Sequence, residues 1–106
     1  MKSMRIIVLI IILAMTNSIS AVTITVSAAA SLKDVMTEIK KAYEIENKVD
    51  KLIFNFGGSG SLQQQIENGA PVDIFISAAQ KQIDELDKKN LIIKTSKVNL
   101  LKNEVV

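Results

Sequence analysis

The sequence predicts an α/β fold, a three-layer αβα arrangement around a mostly parallel sheet. Two observations predict it. Apolar, β-branched segments alternate along the chain with amphipathic segments of helical periodicity, which is the order of βαβ units. Each predicted strand also runs into a short turn that contains serine and begins a helix. Because βαβ crossovers are right-handed, we expect these turns to meet at the carboxyl edge of the sheet.

Residues 1–20 are predicted to be a cleavable secretory signal peptide. A short basic segment is followed by the apolar run Ile6–Met15, and Ser18 and Ser20 are spaced as small residues before a cleavage site at Ala21. The apolar run is too short for a stable membrane crossing, although an uncleaved anchor is the alternative. We therefore expect a periplasmic or otherwise extracytoplasmic protein. Cysteine is absent, so no lipid-anchored N-terminal cysteine is expected.

Composition argues against several classes of function. Of the 13 basic residues, Lys2 and Arg5 belong to the predicted signal peptide, which leaves 11 to balance the 11 acidic residues. A formally neutral mature chain gives no support for a nucleic-acid partner. Histidine and cysteine are both absent, which excludes a Ser-His-Asp triad, a thiolate nucleophile and the usual zinc ligands. We expect no enzyme activity and no cofactor.

The first predicted unit is a strand over residues 21–27 followed by a helix that ends near Asn47. Apolar residues at helical spacing define the helix: Leu32, Val35, Met36, Ile39, Tyr43 and Ile45. Ser31 and Asp34 fit a capping box at its start.

The second unit is a strand over residues 51–56, a glycine turn at 57–61 and a short helix. Gly57, Gly58 and Gly60 permit positive φ and the close approach of a ligand to the backbone. Ser59 and Ser61 are candidate N-caps, and Ser61 with Gln64 fits a capping box. Gly69 is the expected C′ residue of this helix.

The third unit is a strand over residues 72–76 followed by a helix that begins at Ser77 or Ala79. Ile83 and Leu86 lie on its apolar face, and Asn90 is the expected terminator. Residues 97–106 are predicted to return to strand structure.

The turns after the strands predict an anion site. Helix N-termini present free N–H donors and the positive end of the helix dipole. The hydroxyls of Ser31 and Ser59 would add donors, without arginine or lysine in either loop. Uncharged donors suit a fully deprotonated tetrahedral dianion, whereas monohydrogen phosphate would need a carboxylate to accept its proton. The alternative is a glycine turn without a ligand. A hydrolase with Ser31 or Ser59 as nucleophile would need Lys33 as its base.

Four segments in order resemble one family. They are I-T-V-S-A-A-A-S-L (24–32), F-G-G-S-G-S-L (56–62), Q-I-E-N-G-A-P-V-D (65–73) and I-F-I-S-A-A (74–79). Together they are similar to the N-terminal part of periplasmic molybdate-binding proteins, the substrate-binding components of molybdate ABC transporters. The resemblance covers essentially all of residues 22–106.

The resemblance implies a type II periplasmic-binding-protein fold whose two lobes close on molybdate or tungstate. Residues 21–106 would be the first lobe, incomplete and truncated before the second. By motif match, Ser31 and Ser59 would bind the oxyanion through hydroxyl and N–H groups. Lesser contributors would be Ala30, Gly58, Gly60 and Ser61.

The implied partners are the oxyanion and the membrane permease of an ABC transporter, with the binding protein acting as a monomer. Related sulfate-binding proteins share a Gly-Gly-Ser-Gly turn, so sulfate or another oxyanion is the first alternative. Family members are longer than this chain, so a truncated remnant that binds nothing is the second.

Overall fold

The computed structural model describes residues 20–100. The predicted signal peptide, except Ser20, and residues 101–106 of the predicted last strand therefore lie outside the described residues. The strands are β1 (Thr23–Ala29), β2 (Lys51–Gly57) and β3 (Ile74–Ile76); the helices are α1 (Lys33–Glu46), α2 (Ser59–Glu67) and α3 (Gln80–Lys88). Short 3-10 turns occupy Ala30–Leu32 and Lys94–Ser96.

The three strands form a parallel sheet in the order β2-β1-β3. Ala28 in the central strand pairs with Phe56 on one side and with Ile76 on the other. The predicted α/β class and parallel sheet are confirmed. Strand β1 runs further than expected, because Ala28 and Ala29 continue the pairing with β2 as far as Gly57.

Helices cover both faces of the sheet. From β1 the chain crosses to one neighbouring strand through α1, and from β2 it crosses in the other direction through α2, so right-handed connections place these helices on opposite faces. On the α1 face, Met36 packs in a buried cluster with Val26 and Ala28. On the other face, Leu62 of α2 is 1% exposed and lies against Gly57. The sheet is therefore the middle layer of three.

Helices α2 and α3 both end in the Schellman geometry at the residues that the sequence predicts. Gly69 has φ +89°, and the N–H groups of Gly69 and Ala70 donate to carbonyls of the last turn of α2. Asn90 has φ 58° and ends α3 with the same pattern, in which the N–H groups of Asn90 and Leu91 donate to the carbonyls of Asp87 and Leu86. Both predicted terminators are confirmed.

The predicted helix starts need correction. Helix α2 begins at Ser59 after Gly58 as N-cap, so both candidate N-caps, Ser59 and Ser61, lie inside the first turn and the Ser61–Gln64 capping box is wrong. The Ser31–Asp34 box is also wrong, because a 3-10 turn leads from β1 directly into α1 and the Lys33 N–H donates to the Ala30 carbonyl. Within the described residues 20–100, neither helix has a side-chain cap.

The two C-terminal predictions differ in outcome. Helix α3 begins directly after Ala79, the second of the two expected starts. Residues 97–100 form no strand. Lys97 instead lies against α3, where its Nζ is 2.7 Å from Asp87 Oδ2 and 3.6 Å from Asp84 Oδ1. These ion pairs hold the segment beside a helix and not at the sheet.

Candidate oxyanion site

The strand register brings three chain segments out of the sheet at the same level. Ala29 pairs with Gly57 at the ends of β1 and β2, and Ile76 at the end of β3 pairs with Ala28. Ser31, Ser59 and Ser77 follow these strand ends within two residues. The predicted meeting of the three turns at the carboxyl edge is therefore confirmed for the backbone.

A hydrogen bond to the Ser59 side chain links the segment after β2 to the loop after β3. Ser59 is half-buried at the first position of α2, and its hydroxyl accepts a hydrogen bond from the Ala78 N–H at 3.0 Å. Sequence reasoning expected these loops to be neighbours but not to be bonded through this side chain. The contact fixes the start of α2 against the loop that precedes α3.

The N-terminus of α2 presents backbone donors without a side-chain cap. The first helical bond of this turn runs from the Leu62 N–H to the Gly58 carbonyl. The N–H groups of Ser59, Gly60 and Ser61 precede it, and such first-turn groups have no acceptor within their own helix. Together with the positive end of the helix dipole, they suit a negatively charged ligand.

The glycines of this turn act by their lack of a side chain and not by positive φ. Gly58 has φ −64° and ψ 139°, ordinary extended values, and neither Gly57 nor Gly60 has positive φ, so the positive φ expected in this turn is wrong at all three glycines. A Cβ at Gly58 or Gly60 would meet no atom within 4 Å, which leaves the approach to the helix start open. At Gly57 a Cβ would lie 3.3 Å from the Leu62 side chain, so glycine there permits close packing of α2 on the sheet.

Ser31 and Ala30 lie in the 3-10 turn at the end of β1, both exposed. The turn follows Ala29 without a side-chain cap, while Leu32 packs against the core under α1. Within residues 20–100 the Ser31 hydroxyl has no hydrogen-bond partner, so it is free to donate to a ligand at this edge.

Three charged residues near the predicted loops in sequence lie in different places. Lys33 and Asp34 belong to the first turn of α1, and both are exposed. Asp73 lies at the opposite end of the sheet, where its Oδ2 accepts the Thr25 N–H at 2.8 Å. The donors that the sequence predicts at the carboxyl edge, the amides of the turns and the hydroxyls of Ser31 and Ser59, carry no formal charge.

An open polar groove lies beside the candidate site, between α2 and α3. It is lined by Gly60, Ser61, Gln63, Gln64, Glu67, Lys81, Gln82 and Glu85. Hydrogen bonds from Lys89, at 2.8 Å, and from Gln63 lower the pKa of Glu67. Among residues 20–100, no three histidine, cysteine, aspartate or glutamate side chains group in a way that could hold a metal ion.

Comparisons with known proteins identify the family. Residues 24–106 match the family model of bacterial extracellular solute-binding proteins. The chain belongs to this family. It is similar to the molybdate-binding protein ModA of Haemophilus influenzae, with 39% identity over 83 residues, which are 78% of this chain and 33% of the relative. The ModA protein of Escherichia coli is 43% identical, over 78% of this chain and 32% of its own length.

Two further relatives agree with this assignment. The putative ABC transporter substrate-binding lipoprotein YvgL of Bacillus subtilis is 42% identical over 86% of this chain and 35% of the relative. The substrate-binding domain of a putative molybdenum ABC transporter from Clostridium difficile has a similar structure. The TM-score is 0.69 and the identity 51%, over 71% of this chain and 33% of that one. The chain thus spans about a third of the length of its relatives.

The family assignment agrees with the resemblance found in the sequence motifs, and the family is one of extracellular solute-binding proteins. Within the part of the chain that the structure describes, no helix combines the length and apolar character needed to span a membrane.

Proposed function

We propose that this chain supplies donors of the first lobe to a site that captures molybdate or tungstate outside the cytoplasm, for delivery to an ABC transporter permease. The observation that carries the proposal is the uncapped start of α2 beside Ser59, at the same sheet edge as Ser31. The names of the relatives support molybdate as the ligand.

The proposed ligands are hydrogen-bond donors without formal charge. Ser31 and Ser59 each offer a hydroxyl and an N–H group, and Ala30, Gly58, Gly60 and Ser61 offer further N–H groups. A hydrogen bond to an ionised acceptor is roughly twice as strong as one between neutral groups. A dianion without a proton can accept from every donor, so tetrahedral molybdate or tungstate suits this edge.

Capture and release of an oxyanion need no covalent bond to be formed or broken. The chain is therefore proposed to be a transport component and not an enzyme, in agreement with its family of solute-binding proteins. A hydrolase would need a base beside Ser31 or Ser59, and Lys33 is an exposed residue of α1. Residues 1–20 are proposed to act as the export signal, and the exported protein is proposed to work as a monomer.

The test is a thermal melt of the full chain with and without sodium molybdate. A ligand that binds only the folded state stabilises it by about 2.7 kcal/mol at a hundredfold excess over Kd. We expect molybdate to raise the Tm and Ser59→Ala to reduce that shift. The matched control is Ser96→Ala, since Ser96 bonds to the Ile93 carbonyl in the C-terminal turn and not at the sheet edge.

Other outcomes would decide between the alternatives. An equal shift with sulfate would favour a general oxyanion-binding protein. A cooperative melt that is insensitive to molybdate, tungstate and sulfate would contradict the proposal and favour a non-binding remnant. If the chain hydrolysed an ester and Ser31→Ala abolished this activity, the result would instead support the hydrolase alternative.

A further inference from the structure

The loop between β3 and α3 is hydrogen-bonded to the Ser59 hydroxyl. We propose that Ser77 is a positioning residue of the oxyanion site: it holds the loop so that the Ala78 N–H bonds to Ser59 Oγ and the Ser59 hydrogen is left for the anion. The inference rests on the proposed function, because it assigns a role within the same site.

The first step is the fixing of the loop by Ser77. Its hydroxyl donates to the Ala79 carbonyl at 2.6 Å and accepts from the Ala79 N–H at 3.2 Å. The hydroxyl also lies 3.4 Å from Gln82 Oε1 in the first turn of α3. One half-buried side chain thus ties residues 77–79 into a compact turn that ends where α3 begins.

The second step is the bond that this turn makes to Ser59. Ala78 lies in the middle of the turn, and its N–H donates to Ser59 Oγ at 3.0 Å. A serine hydroxyl has one hydrogen and two lone pairs, so accepting this bond occupies a lone pair and leaves the hydrogen available. Within residues 20–100 the Ser59 hydroxyl donates to no acceptor. Its hydrogen is therefore free for a ligand.

The third step is the cost of losing this arrangement. The bond from Ala78 selects one staggered rotamer of Ser59 and polarises its hydroxyl as a donor. Without the Ser77 hydroxyl, residues 77–79 are less restrained, and the Ser59 side chain must be ordered when the anion binds. Ordering a side chain on binding weakens affinity by about three- to tenfold.

The experiment is titration calorimetry of the full chain with sodium molybdate, on the wild type and on Ser77→Ala, Ser77→Thr, Ser59→Ala and the Ser59→Ala/Ser77→Ala double variant. We expect Ser77→Ala to weaken binding three- to tenfold and Ser77→Thr, which keeps the hydroxyl, to restore it. In the Ser59→Ala background the further change at Ser77 should have no effect, because its action passes through Ser59. A general structural role would cause the same loss in both backgrounds.

A second measurement does not depend on binding. Amide hydrogen exchange, followed by NMR without ligand, should be faster at Ala78 in Ser77→Ala and in Ser59→Ala but not in Ser77→Thr. Wild-type binding of molybdate with an unchanged Kd in Ser77→Ala would overturn this inference alone. A wild type that binds no oxyanion would overturn the proposed function. Unchanged Ala78 exchange in Ser77→Ala would overturn the positioning role in either case.

Discussion

The amino and carboxyl edges of the sheet differ in the acceptors that their backbone N–H groups have. At the amino edge, Asp50 and Asp73 directly precede β2 and β3, and each carboxylate accepts an N–H from the chain at the start of β1. Asp50 Oδ1 is 3.2 Å from the Val22 nitrogen, and Asp73 Oδ2 is 2.8 Å from the Thr25 nitrogen. At the carboxyl edge, the first turn of α2 offers glycine and serine, and within residues 20–100 this helix start has no side-chain cap.

The amino edge is also closed by the backbone. The Lys51 N–H donates to the Val22 carbonyl and the Asp73 N–H to the Thr25 carbonyl, both at 2.9 Å. Within residues 20–100, carboxylates thus accept hydrogen bonds from N–H groups at the amino edge, whereas the first turn of α2 at the carboxyl edge has no such partner. An edge with free donors and without a carboxylate attracts an anion from outside.

Gly58→Asp tests this comparison by giving the carboxyl edge the carboxylate that the amino edge has. Gly58 already has the extended N-cap conformation and open space around its Cα, so aspartate fits. We expect molybdate to bind about 10–100-fold more weakly, because the carboxylate occupies the donors and repels the dianion. The free energy of unfolding should rise by a few tenths of a kcal/mol. Calorimetry and urea denaturation measure the two effects.

Gly58→Ala is the control for this variant. It adds a side chain without charge, so binding should stay within about threefold of the wild type. If Gly58→Asp bound molybdate as tightly as Gly58→Ala does, the start of α2 would not be the anion site.

The sequence predicted the order of strands and helices and the ends of α2 and α3, but it did not predict how α1 and α2 begin. Gly69 and Asn90 were predictable because positive φ strongly favours these residue types at helix ends. The residues at Ser31 and Ser61 have the spacing of a capping box, but neither serine is the N-cap of its helix in the structure. The 3-10 turn at Ala30–Leu32 and the glycine N-cap of α2 come from how the chain leaves the sheet, which local spacing does not encode.

The sequence predicted where the candidate site lies but not the hydrogen bonds within it. Parallel topology brought Ser31 and Ser59 to one edge, as the sequence indicated, but the bond from Ala78 to Ser59 joins residues 19 positions apart. Its geometry depends on the register of β2 and β3 against β1 and on the turn held by Ser77. The roles of Asp50 and Asp73 were missed for the same reason, since each accepts a hydrogen bond from a residue distant in sequence, Val22 just before β1 and Thr25 within it.

Asp73→Asn sharpens the comparison at the amino edge. Asparagine keeps the shape but replaces a bond to a charged acceptor by a neutral one, so the free energy of unfolding should fall by about 1 kcal/mol. Molybdate affinity should be unchanged, because the residue lies at the opposite edge from the donors. Glu38→Gln, an exposed carboxylate of α1, is the matched control and should change stability by less than about 0.5 kcal/mol. A loss of molybdate binding in folded Asp73→Asn would contradict the separation of the two edges.

The pH dependence of stability gives the smallest of these effects and depends on groups outside the candidate site. Hydrogen bonds from Lys89 and Lys97 lower the pKa values of Glu67 and Asp87 below their ordinary values of 4.5 and 3.8. These carboxylates therefore stabilise the fold fully above pH 4.5, and the contribution is lost as the pH falls through the lowered pKa values. The bond to Asp87 raises the pKa of Lys97 above 10.5, and burial, with a bond to Asp50, raises that of Tyr43 above 10.0. Their contribution is complete below pH 10 and is lost as the pH rises through the raised values.

Urea denaturation midpoints between pH 3 and pH 11 should thus show a plateau that falls at both ends. Lys97→Ala should reduce the fall at both ends, since it removes the partner that lowers the pKa of Asp87 together with the raised pKa of Lys97 itself. Glu67 would still cause part of the fall at low pH, and Tyr43 part of the fall at high pH. Lys33→Ala is the control, because Lys33 is exposed at the start of α1 and forms no ion pair within residues 20–100. If Lys97→Ala and Lys33→Ala changed the profile alike, the ion pair between Lys97 and Asp87 would contribute nothing to the stability of the fold.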